Sequence, residues 1–513
     1  IVPQMKSIPL AQIDKTVRPD FPYRNLGDGA PTFDGGWYDA AIYKLRIGLE
    51  PNMGIPGPHG LNDVNGRDEI KRAHPEFFKN HQSPASNDHY YAACLSSPGL
   101  FDYTVKFARA VFDIYPDLKY VSVWPNDGFT MCHCEQCKGQ RTPERGASGW
   151  ASDYVWEFTE RVARELYKTH PDRIVVNGAY DCYTLPPLKI NKFSPNVMVG
   201  IVEQRARFGN DEARGRALEI RKGYLEKIAP GNFYIYNHYL HKGGLPVYFP
   251  HAIAEDLRAL KGISQGDYIE LAQAEQARGM HAPGFNHLNV YVTARYYWDA
   301  DQDIEALLNE YYEKFYGPAA KEMKAFIEFS EANWQKMSND KAPAEKALEL
   351  LETARKAAGD TIYGRRVGLV VEYCQPMHQL IEKLSKGRNK DVQFAVSSRG
   401  KPPEKLDGRL DKPFWKDVPE HSMVDLKTGQ APANGITTTF RIAWCDDDSF
   451  YIGIRCEEPD IKGLNIASRE PDDASVWEGD NIDLMIETQG HSYYQVAIGP
   501  SGAITDVDRK TRD

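Results

Sequence analysis

The chain has no apolar run approaching the ~20 residues that a membrane-crossing helix requires, so a helical membrane span is not expected. It has no basic excess. There are 62 Lys and Arg against 72 Asp and Glu, a net charge of -10. A nucleic-acid backbone asks for a basic face, so that class of partner is excluded. Cysteine is scarce, at eight in 513 residues, too few for a disulfide-built scaffold. The opening residues IVPQMKSIPL lack the charged start and apolar core of a secretion leader, as those of a mature secreted chain would. What the chain does have is length beyond a single ordinary domain and an abundance of aromatics, with 29 Tyr and 9 Trp. Such side chains suit carbohydrate or interface surfaces as well as cores.

Short apolar runs alternate with helical patterns from about residue 20 to 300. FPYRNLG (21–27), KYVSVWPND (119–127), DRIVVNGAYD (172–181), NVMVGIVEQ (196–204), NFYIYNHYL (232–240) and GDYIELAQ (266–273) read as strands that end in polar residues. Between them, SDYVWEFTERVARELYKTH (152–170) carries apolar residues at helical spacing. This alternation predicts a parallel sheet. Polar strand ends favour closure into a (β/α)₈ TIM-type barrel, which gathers its chemistry at the C-terminal ends of its strands. The expected organisation is a catalytic barrel over 1–300, a helical extension over 301–390 and a linker over 391–404. A partial antiparallel β-sandwich follows over 405–513, where TTTFRIAWCDDDSFYIGIRCEEPD carries the hairpin signal.

Two resemblances sharpen this expectation. PDFPYR (19–24), His59-Gly60, HPEFF (74–78), CLSSP (94–98), PNDGFTMCHCEQC (125–137), AYDCYTLPP (179–187), YYWDAD (296–301) and FYGPAA (315–320) resemble, in order, elements of glycoside hydrolase family 163. That resemblance implies a barrel, a glycan or glycoprotein substrate, an endo-β-N-acetylglucosaminidase activity on complex N-glycans, and a secreted, periplasmic or cell-surface location. It also leads one to expect a further α/β domain ahead of residue 18. The second resemblance is to a family 9 carbohydrate-binding module. It is carried by LDGRLDKPFW (406–415), AWCDDDSFYIGIRCEEPD (443–460), VWEGDNIDLMIE (476–487) and YYQVAIGPSG (493–502). The match covers the first half to two thirds of such a module, without the late aromatic that helps to sandwich a sugar.

Glycosidic cleavage needs a proton donor at the leaving oxygen and a group that stabilises the oxocarbenium-like centre. With a 2-acetamido sugar, the substrate's own carbonyl oxygen can take the second part. Asp127 is the first candidate carboxylate, with Asn126 beside it to hold substrate, although Asn-Asp-Gly also makes an ordinary turn. Glu203 and Glu270 end later strands, and either could be the general acid. Arg205, two residues on from Glu203, would keep that carboxylate ionised, whereas the apolar sequence neighbours of Glu270 favour a protonated acid. Arg24, His59, Trp124, Tyr180, Tyr236, His238 and Tyr239 are candidate substrate-binding residues. Period-2 alternation puts Tyr236 and His238 on one face and Tyr239 on the other.

Cys132, Cys134 and Cys137 form a C-x-C-x-x-C segment, and Cys94 is a fourth thiol. These four can make a closed structural zinc site, two disulfides, or buried free thiols. His133 could replace Cys94 as a ligand. No metal is expected in catalysis. A rival enzyme reading is a hydrolase of uronic-acid or other polysaccharide linkages, which would need Arg24 or Arg205 aimed into the mouth. A non-enzyme rival is a glycan-binding protein on an inactive barrel. The sequence leaves the oligomeric state open.

Overall fold

The computed structural model describes residues 16–26, 42, 44–50, 58–78, 93–127, 129, 131–132, 134–239, 244–271, 283–385, 397–398, 401–424, 436–447, 449–488 and 491–509. Gly128 and His133 lie outside these. The chain divides into two compact units, Ile1–Lys386 and Gly387–Asp513.

The first unit is built on six strands. These are β1 (Tyr23–Leu26), β2 (Tyr120–Ser122), β3 (Ile174–Ala179), β4 (Val197–Glu203), β5 (Phe233–Tyr239) and β6 (Gly266–Leu271). They pair in parallel in the order β1-β6-β5-β4-β3-β2. The central strands are almost wholly buried, as a parallel sheet covered on both faces requires. Helices α1 (Pro98–Ile114), α2 (Ser152–Tyr167), α3 (Asp211–Leu225) and α4 (Pro250–Leu260) lie in the connections after β1, β2, β4 and β5, while β3 passes to β4 through only a short 3-10 turn, Asp181–Tyr183. α1 starts where Pro98 follows Ser97, whose hydroxyl accepts from the Leu100 amide.

The sheet curls until its two edges approach. Tyr23 opens β1 and Tyr120 opens β2, and their hydroxyls hydrogen-bond with the rings edge to face, 6.2 Å between centroids. The concave side is filled by aromatic rings lying over glycines. A Cβ at Gly178 would sit 1.9 Å from the Trp124 ring, and one at Gly200 would sit 2.3 Å from that of Tyr234. Gly178 and Gly200 are partners across β3 and β4.

An eight-stranded barrel is not what the described residues form. The sheet has six strands, a half-barrel, and the six apolar runs of the sequence are those six strands. After β6 the pattern turns helical. α5 (Pro283–Trp298), α6 (Ile304–Tyr311), α7 (Ala320–Met337), α8 (Lys341–Ala358), α9 (Ile362–Tyr373) and α10 (Pro376–Ser385) complete the unit. His251, on α4, is held by Glu331 of α7 at 2.7 Å and Glu305 of α6 at 2.9 Å. Among the described residues no helix is long and apolar enough to cross a membrane.

The second unit carries two small sheets. In one, β9 (Thr438–Trp444) pairs antiparallel with β10 (Phe450–Cys456) and with the short β8 (His421–Ser422), and parallel with β7 (Ser397–Ser398). Its core is Trp415, Val418 and Ala443. The other is an antiparallel meander of β11 (Ile482–Thr488), β12 (His491–Ile498) and β13 (Ile504–Arg509).

Candidate active site

A cleft of about 160 Å³ opens at the C-terminal ends of the parallel strands. It is smaller than the ~300–1,000 Å³ usual for drug-sized ligands, a scale suited to one ring at a time. Its lining is Pro58, His59, Trp124, Asp127, Tyr180, Val202, Tyr236, His238 and Glu270. Seven sequence-predicted residues therefore meet here: Asp127, Glu270, His59, Trp124, Tyr180, Tyr236 and His238.

Each is fixed by the element that bears it. Trp124 follows β2, is buried over Gly178, and donates from Nε1 to the Tyr183 hydroxyl at 3.1 Å. Its ring lies 5.7 Å from that of Tyr236 and 5.9 Å from that of His59. His59 takes a left-handed backbone, φ 63°, which a non-glycine residue adopts at a cost. Its Nδ1 is 2.7 Å from the Pro125 carbonyl oxygen, which ties this turn to the segment carrying Asp127. Tyr180 leaves β3 and donates to Asp127 Oδ1 at 3.1 Å.

On β5, Tyr236 and His238 face the cleft, while Tyr239 packs on the other side of the sheet. His238 is the partner of Glu270 across β5 and β6. Both cleft-facing β5 residues reach the same carboxylate oxygen. Tyr236 donates to Glu270 Oε2 at 2.7 Å, and His238 Nε2 lies 3.2 Å from it. The His238 hydrogen bond, against the opposing effect of burial and with help from Tyr236 and His59, holds the Glu270 carboxyl below the ordinary glutamate range. This corrects the expectation of a protonated Glu270. Its apolar sequence neighbours point elsewhere, and its surroundings come from the next strand. A residue the sequence reasoning passed over, Asp181, also bears on the site. It has φ 46°, and burial together with the nearby Asp127 charge pushes its carboxyl upward. Asp is among the non-glycine residues that enter the left-handed region most readily, but residue type alone does not say which Asp will do so.

Four candidates do not line the cleft. Glu203 is buried on the helix-facing side of β4, where Arg221 of α3 grips it through Nε at 2.8 Å and Nη2 at 2.5 Å. Arg221 also reaches Asp256 of α4, at 2.5 Å. Arg205 joins Asp256 and Asp267, each at 2.7 Å, and Tyr239 accepts from the same guanidinium at 3.3 Å. Burial pushes the Glu203 carboxyl up against the pull of Arg221. Asp256, despite its burial, is held low by Arg205 and Arg221. Glu203 and Tyr239 are therefore structural members of an ionic layer between sheet and helices. Neighbouring strand residues face opposite ways, and it is Val202 that enters the cleft. Arg24 is spent on the Phe21, Pro22 and Gly48 carbonyls and on Glu50, and stacks on Trp298. Asn126 adjoins Asp127 without lining the cavity.

The four clustered cysteines form a separate centre. Sγ atoms of Cys94, Cys132, Cys134 and Cys137 all lie within 4.8 Å of one another.

The chain belongs to a family described as a domain of unknown function, DUF4838, which it matches over residues 1–328. No curated protein matches it. Among solved structures it is similar to a GH138 enzyme targeting pectin rhamnogalacturonan II, at 13% identity and a TM-score of 0.32. That alignment covers 56% of this chain and 42% of the enzyme, so this chain spans less than half of that enzyme's length.

Proposed function

We propose that the chain is a glycoside hydrolase acting on N-acetylglucosamine linkages, as an endo-β-N-acetylglucosaminidase on complex N-glycans. One observation carries this reading. A single cleft at the strand ends joins two carboxylates, Asp127 and Glu270, to the rings of Trp124, Tyr180 and Tyr236, with no Arg or Lys in its described lining. Aromatic faces suit sugar rings, and paired carboxylates suit glycosidic cleavage. A carboxylate-bearing uronic acid would want a basic partner. Both arginines that might have supplied one are engaged elsewhere.

In this reading the two carboxylates take different roles. Glu270, kept ionised by Tyr236 and His238, accepts from the N–H of the 2-acetamido group and polarises its carbonyl oxygen for attack on C1. Asp127 gives a proton to the leaving oxygen. Water then adds from the face the leaving group vacated, returning a proton to Asp127, and the anomeric configuration is retained.

Mass spectrometry of a complex-type N-glycoprotein before and after incubation tests the activity. The expected product keeps one N-acetylglucosamine on Asn. A folded chain that releases nothing sinks the reading. Roles are sorted with aryl glycosides. On a substrate whose leaving group needs no proton, Asp127→Asn retains turnover, while Glu270→Gln loses about 10²–10⁴-fold.

A further inference from the structure

We propose that Cys94, Cys132, Cys134 and Cys137 bind one zinc ion as a closed structural site. Cys94 and Cys137 sulfurs are 3.5 Å apart, Cys94 and Cys134 3.7 Å, and Cys134 and Cys137 3.7 Å. Four thiolates at about 2.3 Å from a tetrahedral zinc have sulfur–sulfur edges of about 3.8 Å. Three near-equal mutual separations describe ligands around one centre. Two covalent pairs would bring the sulfurs together two by two.

The protein around the cluster has the features of a built site. Cys94, Cys132 and Cys137 are 2%, 3% and 3% exposed, so bulk water is largely kept out. Cys134 and Cys137 sit on a tight turn, in which the Cys137 and Lys138 amides donate to the Cys134 carbonyl at 2.8 and 3.1 Å. Cys94 is brought in from the segment before α1 by its own amide, which donates to the Phe77 carbonyl at 2.8 Å. Cys137 Sγ lies 3.3 Å from the Ser96 hydroxyl oxygen and 3.2 Å from that of Tyr154. As a thiolate it accepts from both, which is how outer groups orient and tune a metal ligand. All four positions of a tetrahedron are filled by sulfur, so the ion has no open coordination site and its work is structural. It pins the segment after β2 to the start of α1, and that segment includes Asp127. The zinc assignment itself is independent of the glycosidase reading.

The test is metal analysis of the whole chain purified under reducing conditions, with elemental mass spectrometry for stoichiometry. The expected result is about one zinc per chain, surviving dialysis and released in step with modification of four thiols by a mercurial. Growth with cobalt should give thiolate-to-cobalt charge transfer and the visible bands of a tetrahedral ion. Cys94→Ser or Cys137→Ser should cut the zinc to about a tenth or less, whereas Cys374→Ser, at a buried thiol outside the cluster, should leave it unchanged. Metal-free protein with four reactive thiols overturns the proposal, as do disulfide-linked peptides joining these cysteines or iron in place of zinc. The wild-type stoichiometry and the cobalt spectrum decide the matter even if a variant fails to fold.

Discussion

The ionic layer behind β4 gives the sharpest separation between a structural and a catalytic glutamate. It contains two guanidinia, Arg205 and Arg221, and three carboxylates, Glu203, Asp256 and Asp267. Replacing Arg221 by Met leaves three buried carboxylates facing one guanidinium. Removing one member of a buried ion pair costs about 3–5 kcal/mol, which in a unit of this size lowers the melting temperature by roughly 4–6 °C. Replacing Glu203 by Gln acts in the opposite sense on the charge balance, since two cations then face two anions. The amide oxygen can still accept from Arg221, so the loss is one charge-assisted hydrogen bond, about 1.5–3 kcal/mol, offset by the burial cost of a carboxylate that is no longer paid. A net of about 1 kcal/mol is expected. Thermal melts followed by circular dichroism, with turnover measured at a temperature where both variants are folded, make the comparison. Glu203→Gln should melt well above Arg221→Met and keep glycan hydrolysis within about twofold. A Glu203→Gln variant with an unchanged melt and no turnover would refute the assignment and return Glu203 to the chemistry.

Three further variants have defined outcomes. His238→Gln removes the first of the groups that depress Glu270, so the acid limb of kcat/KM, set by ionisation of Glu270, should move to higher pH; a profile identical to wild type contradicts the proposed pairing. A depressed carboxyl contributes stability that is present above its unfolded value and lost as pH falls through the folded one, so the same variant should be less stable than wild type above about pH 4.3, with the difference shrinking as pH falls below it. His251, raised to about 9 by its hydrogen bond to Glu331, with Glu305 adding to it against burial, works the other way. Its contribution is complete below about pH 6.5 and lost as pH rises through about 9. His251→Gln should therefore cost about 1 kcal/mol at pH 6, allowing for solvent screening of this half-exposed cluster, and almost nothing at pH 10, as read from denaturant midpoints at the two pH values. Gly178→Ala drives a methyl group into the Trp124 ring, which should cost about 1–3 kcal/mol and change Trp fluorescence; an unaltered spectrum and melt would show that the ring does not lie against β3.

What could be read from the sequence, and what could not, follows from the range of the interactions. The six strands announce themselves as short apolar runs with polar ends, and the period of two correctly separates Tyr239 from Tyr236 and His238. The same period, applied to β4, would have set Val202 against Glu203, but it does not say which of them faces inward. The state of Glu270 depends on His238, 32 positions earlier and its neighbour only through strand pairing. Arg24 and Arg205 look available in sequence because partners that occupy them, Gly48 and Glu50 for Arg24 and Asp256 of α4 and Asp267 of β6 for Arg205, come from further along the chain. The eight-stranded expectation went beyond the six runs actually present.

The seam between Tyr23 and Tyr120 bears on how the fold is reached. Strands β3 to β6 each pair with the one before, so β2 to β6 can grow as a sheet while the polypeptide emerges. β1 cannot join them in that way. Tyr23 pairs with Gly266, so its partner strand is made more than two hundred residues later, about 12–50 seconds at ~5–20 residues per second. Until then β1 is an unpaired edge, and closure of the seam is a late event governed by long-range contact formation. Until β6 emerges the growing sheet therefore lacks its oldest strand, and that interval is when a chaperone, or a second copy of the chain, has access to the open edge.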